Sequence, residues 1–204
     1  MIREPKFKVC RRLGDKVYGK CQTPKFAQSL SRKPRPNKKR SRGGSEFKTQ
    51  LMEKQKAKVL YGVTERQFAN YVRKAEAKKG ANPSSELFRM LEIRLDSVLY
   101  SLGFLPSKAL ARQVVTHGHI MVNSRKTNIP SYSVRIGDKI SIRVGSKDSV
   151  LFADLDKKVK DKNLPAWVKF DKSSLIFEIA GEPVYEENIA GIGFGDVIEF
   201  YSRA

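Results

Sequence analysis

The chain has little of what most catalytic and metal sites are built from: 2 histidines, 2 cysteines and 1 tryptophan in 204 residues. Two thiolates do not complete a tetrahedral metal site, and no further ligand falls at a recognisable spacing from His117 and His119. A disulfide between Cys10 and Cys21 is not expected in a reducing cytosol. No apolar run approaches the roughly 18 residues of a membrane span, and the first residues lack the apolar stretch of a signal peptide. A cytoplasmic protein is therefore expected. With Trp167 alone of its kind and no helix of broad apolar face, membrane anchoring at the interface is disfavoured as well. Neither a phosphate-binding glycine loop nor an acid and base at a diagnostic spacing occurs, so the sequence predicts no enzyme, no cofactor and no metal.

Acidic residues are scarce too. Against 41 Lys and Arg there are 21 Asp and Glu, a net charge of +20, which asks for a polyanionic partner. The charge is uneven: residues 1–45 carry 15 Lys and Arg against Glu4 and Asp15, whereas the last quarter of the chain is slightly acidic. So basic a leader with few large apolar residues is expected to order only against nucleic acid. Its candidate contacts are Arg11, Arg12, Lys20 and Lys25, followed by the dense run Arg32, Lys33, Arg35, Lys38, Lys39, Arg40 and Arg42. That run reads either as a solvated tail or as a positive wall beside single-stranded RNA.

Beyond the leader the pattern is helical. Ser45 to Gly62 reads as a helix capped by Ser45, with Phe47, Leu51, Met52, Val59 and Leu60 as its apolar positions. A second helix starts at Thr64, in capping-box spacing with Gln67, and stops at Gly80. A third starts near Ser84 or Ser85 and runs through Leu87, Leu91 and Leu95. On these helices Lys54, Gln55, Lys58 and Arg66, with Gln67, are within reach of RNA. Tyr61 and Tyr71 read equally well as packing or as stacking residues.

The stretch from Arg94 to Val144 is the most specific. RLDSVLYSLGF ends at Gly103, and SKALARQVVTHGHI opens on Ser107 as N-cap and stops at Gly118. Leu110, Ala111, Val114 and Val115 make a buried stripe, with Lys108 and Arg112 on the opposite arc beside Gln113 and Thr116. The period then alternates, placing Ile120 with Val122 and Ile140 with Ile142 and Val144 on one side of short strands. Between them Asn123 to Asn128 forms a polar loop. Strands are also expected at Trp167–Phe170, Leu175–Ile179 and Val197–Tyr201, and a helix over Ser149–Lys160.

These residues resemble the S-four RNA-binding domain, carried by RLD..LY.LGF, S.A.ARQ.V.HGHI.VN and NIPSY.V..GD.I. Ser124 departs from the family's usual glycine after Asn123. EKQKAKVLYGVTERQF and the terminal VIEFYSR extend the likeness to the bacterial small-subunit ribosomal protein S-four family. The resemblance implies an α+β fold: a basic arm at 1–44, a helical domain at 45–92 completed by about 183–204, and an inserted domain at 93–182 holding the module at 94–145. It further implies RNA contacts from Arg94, Ser107, Lys108, Arg112, Gln113, Thr116, His117, His119, Asn123, Arg125, Lys126, Asn128, Ser131 and Tyr132.

Expected partners are small-subunit ribosomal RNA, messenger RNA where it enters the subunit, and neighbouring proteins such as ribosomal protein S five, with no homo-oligomer. The implied role is structural, in subunit assembly and translational accuracy. A non-ribosomal RNA-binding factor or an accessory to RNA modification carries the same module and stays open. Many relatives have four cysteines near the start; here Phe7 and Phe26 stand where two of them would be, which implies apolar contact in place of metal.

Overall fold

A computed structural model describes residues 5–31, 46–103, 105–146, 149, 151–152, 164–171, 174–185 and 191–203. Most of the expected helix over 149–160, the cap Ser45 and the basic run Arg32–Arg42 lie outside them. The chain divides into two compact units, one of Met1–Leu87 with Glu186–Ala204 and one of Phe88–Tyr185.

The first unit is helical, and its first helices lie within the basic leader. Helix α1 (Lys6–Leu13) starts after Pro5, ends at Gly14 in the left-handed region (φ 72°), and turns Val9, Cys10 and Leu13 inward. A 3-10 turn at Gly19–Gln22 and helix α2 (Pro24–Ser31) follow. Cys10, Cys21 and Phe26 are buried together, with Phe7, Val17 and Tyr18 packed on them, and the Phe7 and Phe26 rings lie 5.2 Å apart. Residues 5–31 form two helices around this small core, in which aromatic and thiol groups supply the apolar surface that the charge count conceals.

Helix α3 (Glu46–Tyr61) buries a face the sequence did not single out. Gln50, Lys54, Ala57 and Tyr61 are its buried residues, while Phe47 is 54% exposed. The cause is its partner, helix α8 (Phe194–Ser202), which occupies the place of the strand expected at Val197–Tyr201. Phe194 and Val197 lie one turn apart and fully buried, a helical rather than alternating spacing, each worth about 1.5–3 kcal/mol of burial. Gln50 donates to Glu199 at 2.8 Å and the Lys54 ammonium sits 4.5 Å from the Phe200 ring centre. Helix α4 (Glu65–Ala77) opens on the expected capping box: the Thr64 hydroxyl accepts from the Gln67 N–H at 3.3 Å, and Gln67 accepts from the Thr64 N–H at 3.2 Å.

Helix α5 (Pro83–Glu92) begins one residue before Ser84 and is capped by Asn82, whose side chain accepts from the Ser84 N–H at 2.9 Å. It does not run on through Leu95. Arg94 is extended (ψ 138°) and pairs with Ser133, so that helix α6 (Leu95–Ser101) starts afresh. Helix α7 (Lys108–Thr116) comes next.

Five antiparallel strands follow: β1 (Ile120–Val122), β2 (Arg125–Thr127), β3 (Lys139–Ile142), β4 (Val168–Asp171) and β5 (Ile176–Ile179), in the order β2-β1-β3-β5-β4. Asn123 to Asn128 is therefore a tight hairpin with its own strand rather than a loop. Ile120, Val122, Ile140, Ile142, Phe177 and Ile179 point to the side covered by α6 and α7 and share one core with Leu95, Leu99, Ala111 and Val115. Val144 leaves this alternation: it begins a 3-10 turn (Val144–Ser146) and is 75% exposed. The α+β class stands, with helices and antiparallel strands as separate elements.

Candidate nucleic-acid interface

Helix α7 is held rigidly at both ends. The Ser107 hydroxyl accepts from the Leu110 N–H at 3.2 Å, so this side chain caps the helix rather than standing ready for a ligand. At the other end the Gly118 N–H donates to Val115 and the His119 N–H to Val114, at 2.8 and 3.2 Å, with Gly118 at φ 71°. This paired closure satisfies the last carbonyls and fixes where His117 and His119 leave the helix. Ala111, Val114 and Val115 are buried, Leu110 only half so, and Gln113, Thr116 and His117 are exposed. His119 is half-buried: its Nδ1 lies 2.9 Å from the Ser146 hydroxyl and its ring meets Phe152 edge-on.

The two cations on α7 are not loose on the open arc. Lys108 keeps only 13% of its side chain in solvent and bonds Glu92 at 3.1 Å. Burial depresses its pKa, against the attraction of Glu92. Arg112, 27% exposed, gives two N–H bonds to one oxygen of Asp96, at 3.0 and 2.7 Å. Arg94 gives two more to the same carboxylate, at 3.0 and 2.8 Å, from a side chain only 4% exposed. Arg94 is thus an internal tie and not a surface contact.

Turning from β1 into β2, Asn123 and Ser124 both take positive φ, 49° and 63°, over the two-residue loop between paired Val122 and Arg125. This is the primed turn that matches strand twist. The Asn123 side chain donates to Asp138 at 2.8 Å and accepts from the Lys139 N–H at 2.9 Å, locking the turn to β3. Asp138 also accepts from the Arg135 N–H at 2.8 Å. The hairpin so fixed leaves Arg125, Lys126, Asn128 and Ser131 exposed. Tyr132 is half-buried on the core, and its carbonyl accepts from the Leu95 N–H at 2.9 Å.

Sequence reasoning missed Asp96, Glu92 and Asp138, the acids that hold this surface, because acidic residues read as counter-indications in a basic module. It also missed Arg135, Lys139 and Arg143, exposed beside the hairpin. The alternation that buries Ile140 and Ile142 was signal enough to place Lys139 outward.

In the helical unit several candidates turn out to be structural. Tyr61 is buried and offers no ring for stacking. Lys54 is buried and pairs with Glu65, which also accepts from Lys58 at 3.0 Å and from the Tyr201 hydroxyl at 2.7 Å. Burial alone would raise the Glu65 carboxyl, but bonds from Lys54, Tyr201 and Lys58 outweigh it and bring the pKa down to about 2. Gln67 serves the capping box. Arg66 is exposed, and Gln55 and Tyr71 are half-buried. Arg12, Lys20 and Lys25 are exposed on the N-terminal segment, whereas Arg11 bends back to the Phe7 carbonyl at 3.2 Å.

Cys10 and Cys21 are free thiols. Burial, then the adjacent Cys10 thiol, pushes the Cys21 pKa up to about 12. Among the described residues no helix is long and apolar enough to cross a membrane.

Comparison with known proteins covers almost the whole chain. Residues 1–92 match the family "Ribosomal protein S4/S9 N-terminal domain" and residues 93–140 match the "S4 domain". The chain is 43% identical over 200 residues to "Small ribosomal subunit protein uS4" of Chlorobaculum tepidum, covering 96% of each. It is 38% identical over 201 residues to the protein of that name in Endomicrobium trichonymphae, again 96% of each. With that of Thermus thermophilus the identity is 39% over 206 residues, 98% of this chain and 97% of the relative.

Proposed function

The chain belongs to the uS4 family of small ribosomal subunit proteins, structural components of the ribosome and not enzymes, and from that premise we propose that it binds small-subunit ribosomal RNA through the face of α7 and the β1–β2 hairpin. The observation that carries this reading is the exposure of Arg125, Lys126 and His117, with the partly exposed Arg112, on two elements whose backbone is fixed by the Ser107 cap, the helix closure at Gly118 and the Asn123 turn. A fixed backbone brings the Arg112, Arg125 and Lys126 charges to one surface, and each phosphate neutralised there releases counterions. Folded RNA hides its base edges in a narrow major groove, so backbone shape rather than sequence is what such a surface reads. Binding early in subunit assembly, contact with messenger RNA through the basic run Arg32–Arg42, and contact with ribosomal protein S five are further parts of the proposal, supported by charge and by family resemblance.

The test is binding of the full chain to a bacterial small-subunit ribosomal RNA transcript at several salt concentrations. For 6–10 phosphate contacts affinity should fall about 10³- to 10⁵-fold between 50 and 200 mM salt. Changing Arg125 and Lys126 together to Glu should weaken binding while thermal unfolding of the chain stays near that of the parent. Affinity unchanged by salt and by this double substitution would remove the reading.

A further inference from the structure

Resting on that RNA-binding reading, we propose that Asp96 is a positioning residue: its buried carboxylate orients the Arg112 guanidinium for a backbone phosphate. An arginine on an open helix face samples many rotamers, and ordering such a side chain costs conformational entropy. Here the ordering is done within the protein. Asp96 receives Arg112 Nε and Nη2 on the single oxygen Oδ2, at 3.0 and 2.7 Å. The carboxylate is itself immobile: Arg94 grips it through Nε and Nη2, and the Asp96 N–H donates to the Pro130 carbonyl at 3.1 Å.

A carboxylate beside a phosphate site would ordinarily repel the ligand. Two guanidiniums on one carboxylate reverse that sign. Among the described residues the cations Arg94, Arg112 and Lys108 face the anions Asp96 and Glu92. The Asp96 side chain is 3% exposed, whereas the Arg112 side chain that it holds is 27% exposed. The planar fork thus reaches the surface in one orientation, the geometry that suits bidentate phosphate binding.

The inference is tested with the full chain and a bacterial small-subunit ribosomal RNA transcript, comparing Arg112→Ala, Arg112→Lys, Asp96→Asn and the double variant Asp96→Asn/Arg112→Ala. Positioning predicts that Arg112→Lys, which keeps the charge but not the fork, weakens binding nearly as much as Arg112→Ala, about tenfold. It also predicts that Asp96→Asn weakens binding to a similar extent and that the double variant loses no more than Arg112→Ala alone. Wild-type affinity in Arg112→Lys would overturn the inference, and so would a double variant whose loss is the product of the two single losses. Should Asp96→Asn fail to fold, since it strips a buried arginine of its counterion, the Arg112→Lys comparison decides by itself. Absence of salt-dependent binding by the unaltered chain would instead remove the RNA-binding reading beneath it.

Discussion

The side chain of Lys126 lies across Gly118, in the space that a β carbon on this glycine would fill. The helix end and the hairpin are therefore fitted to one another at a position that also needs φ 71°. Substituting Gly118→Ala forces a left-handed alanine and moves the lysine, so stability should fall by about 1–2 kcal/mol. Adding Lys126→Ala should relieve only the crowding and leave most of the loss. Urea unfolding of the single and double variants measures both; a Gly118→Ala protein as stable as its parent would contradict the fit.

Ser124 holds φ 63° in the β1–β2 turn, where a side chain is disfavoured. Ser124→Gly should stabilise the second unit by about 0.5–1 kcal/mol, less whatever the freer unfolded chain takes back. A higher thermal midpoint with unchanged RNA affinity is the expected result.

The Glu65 carboxyl, drawn down to about 2, stabilises the folded chain at any pH above the ordinary carboxylate range near 4.5. Since the folded value is depressed, that contribution is lost as pH falls from about 4.5 toward 2. The group is 47% exposed, and solvent screening keeps the effect near about 1 kcal/mol or less. Glu65→Gln should be less stable than its parent at pH 7 and converge with it near pH 2, as read from urea midpoints across that window.

With its pKa at about 12, the Cys21 thiol is almost wholly protonated at neutral pH. Iodoacetamide at pH 8 should leave it unmodified in the native chain and label it quickly in urea. Rapid native labelling would show that the core formed with Cys10 and Phe26 opens readily.

The central module was legible from Arg94 onward because its signals are local: a serine cap, glycine stops, and a switch of period at Gly118. Of the surface residues read there, Gln113, Thr116, Arg125 and Lys126 are exposed. What misled was every position decided by a distant partner. Lys54 looks like a surface group until Glu65 and, from far along the chain, the rings of Phe200 and Tyr201 meet it. Val197 to Tyr201 reads as a strand because β-branched and aromatic residues cluster there, yet packing on α3 selects the helix. Arg94 and Arg112 look alike in sequence. Both bind Asp96, two residues from one and sixteen from the other, and only burial separates them, 4% exposed for Arg94 against 27% for Arg112.

Helix α8 supplies Phe194 and Val197 to a core whose other walls are translated more than a hundred residues sooner. During vectorial synthesis Phe88–Tyr185, being continuous, is complete while Met1–Leu87 still waits for its last wall to leave the exit tunnel. The middle of this polypeptide is thus placed to mature before its beginning, so a released fragment ending between Tyr185 and Phe194 would contain every residue of the β-sheet unit but lack the helix that closes the helical one.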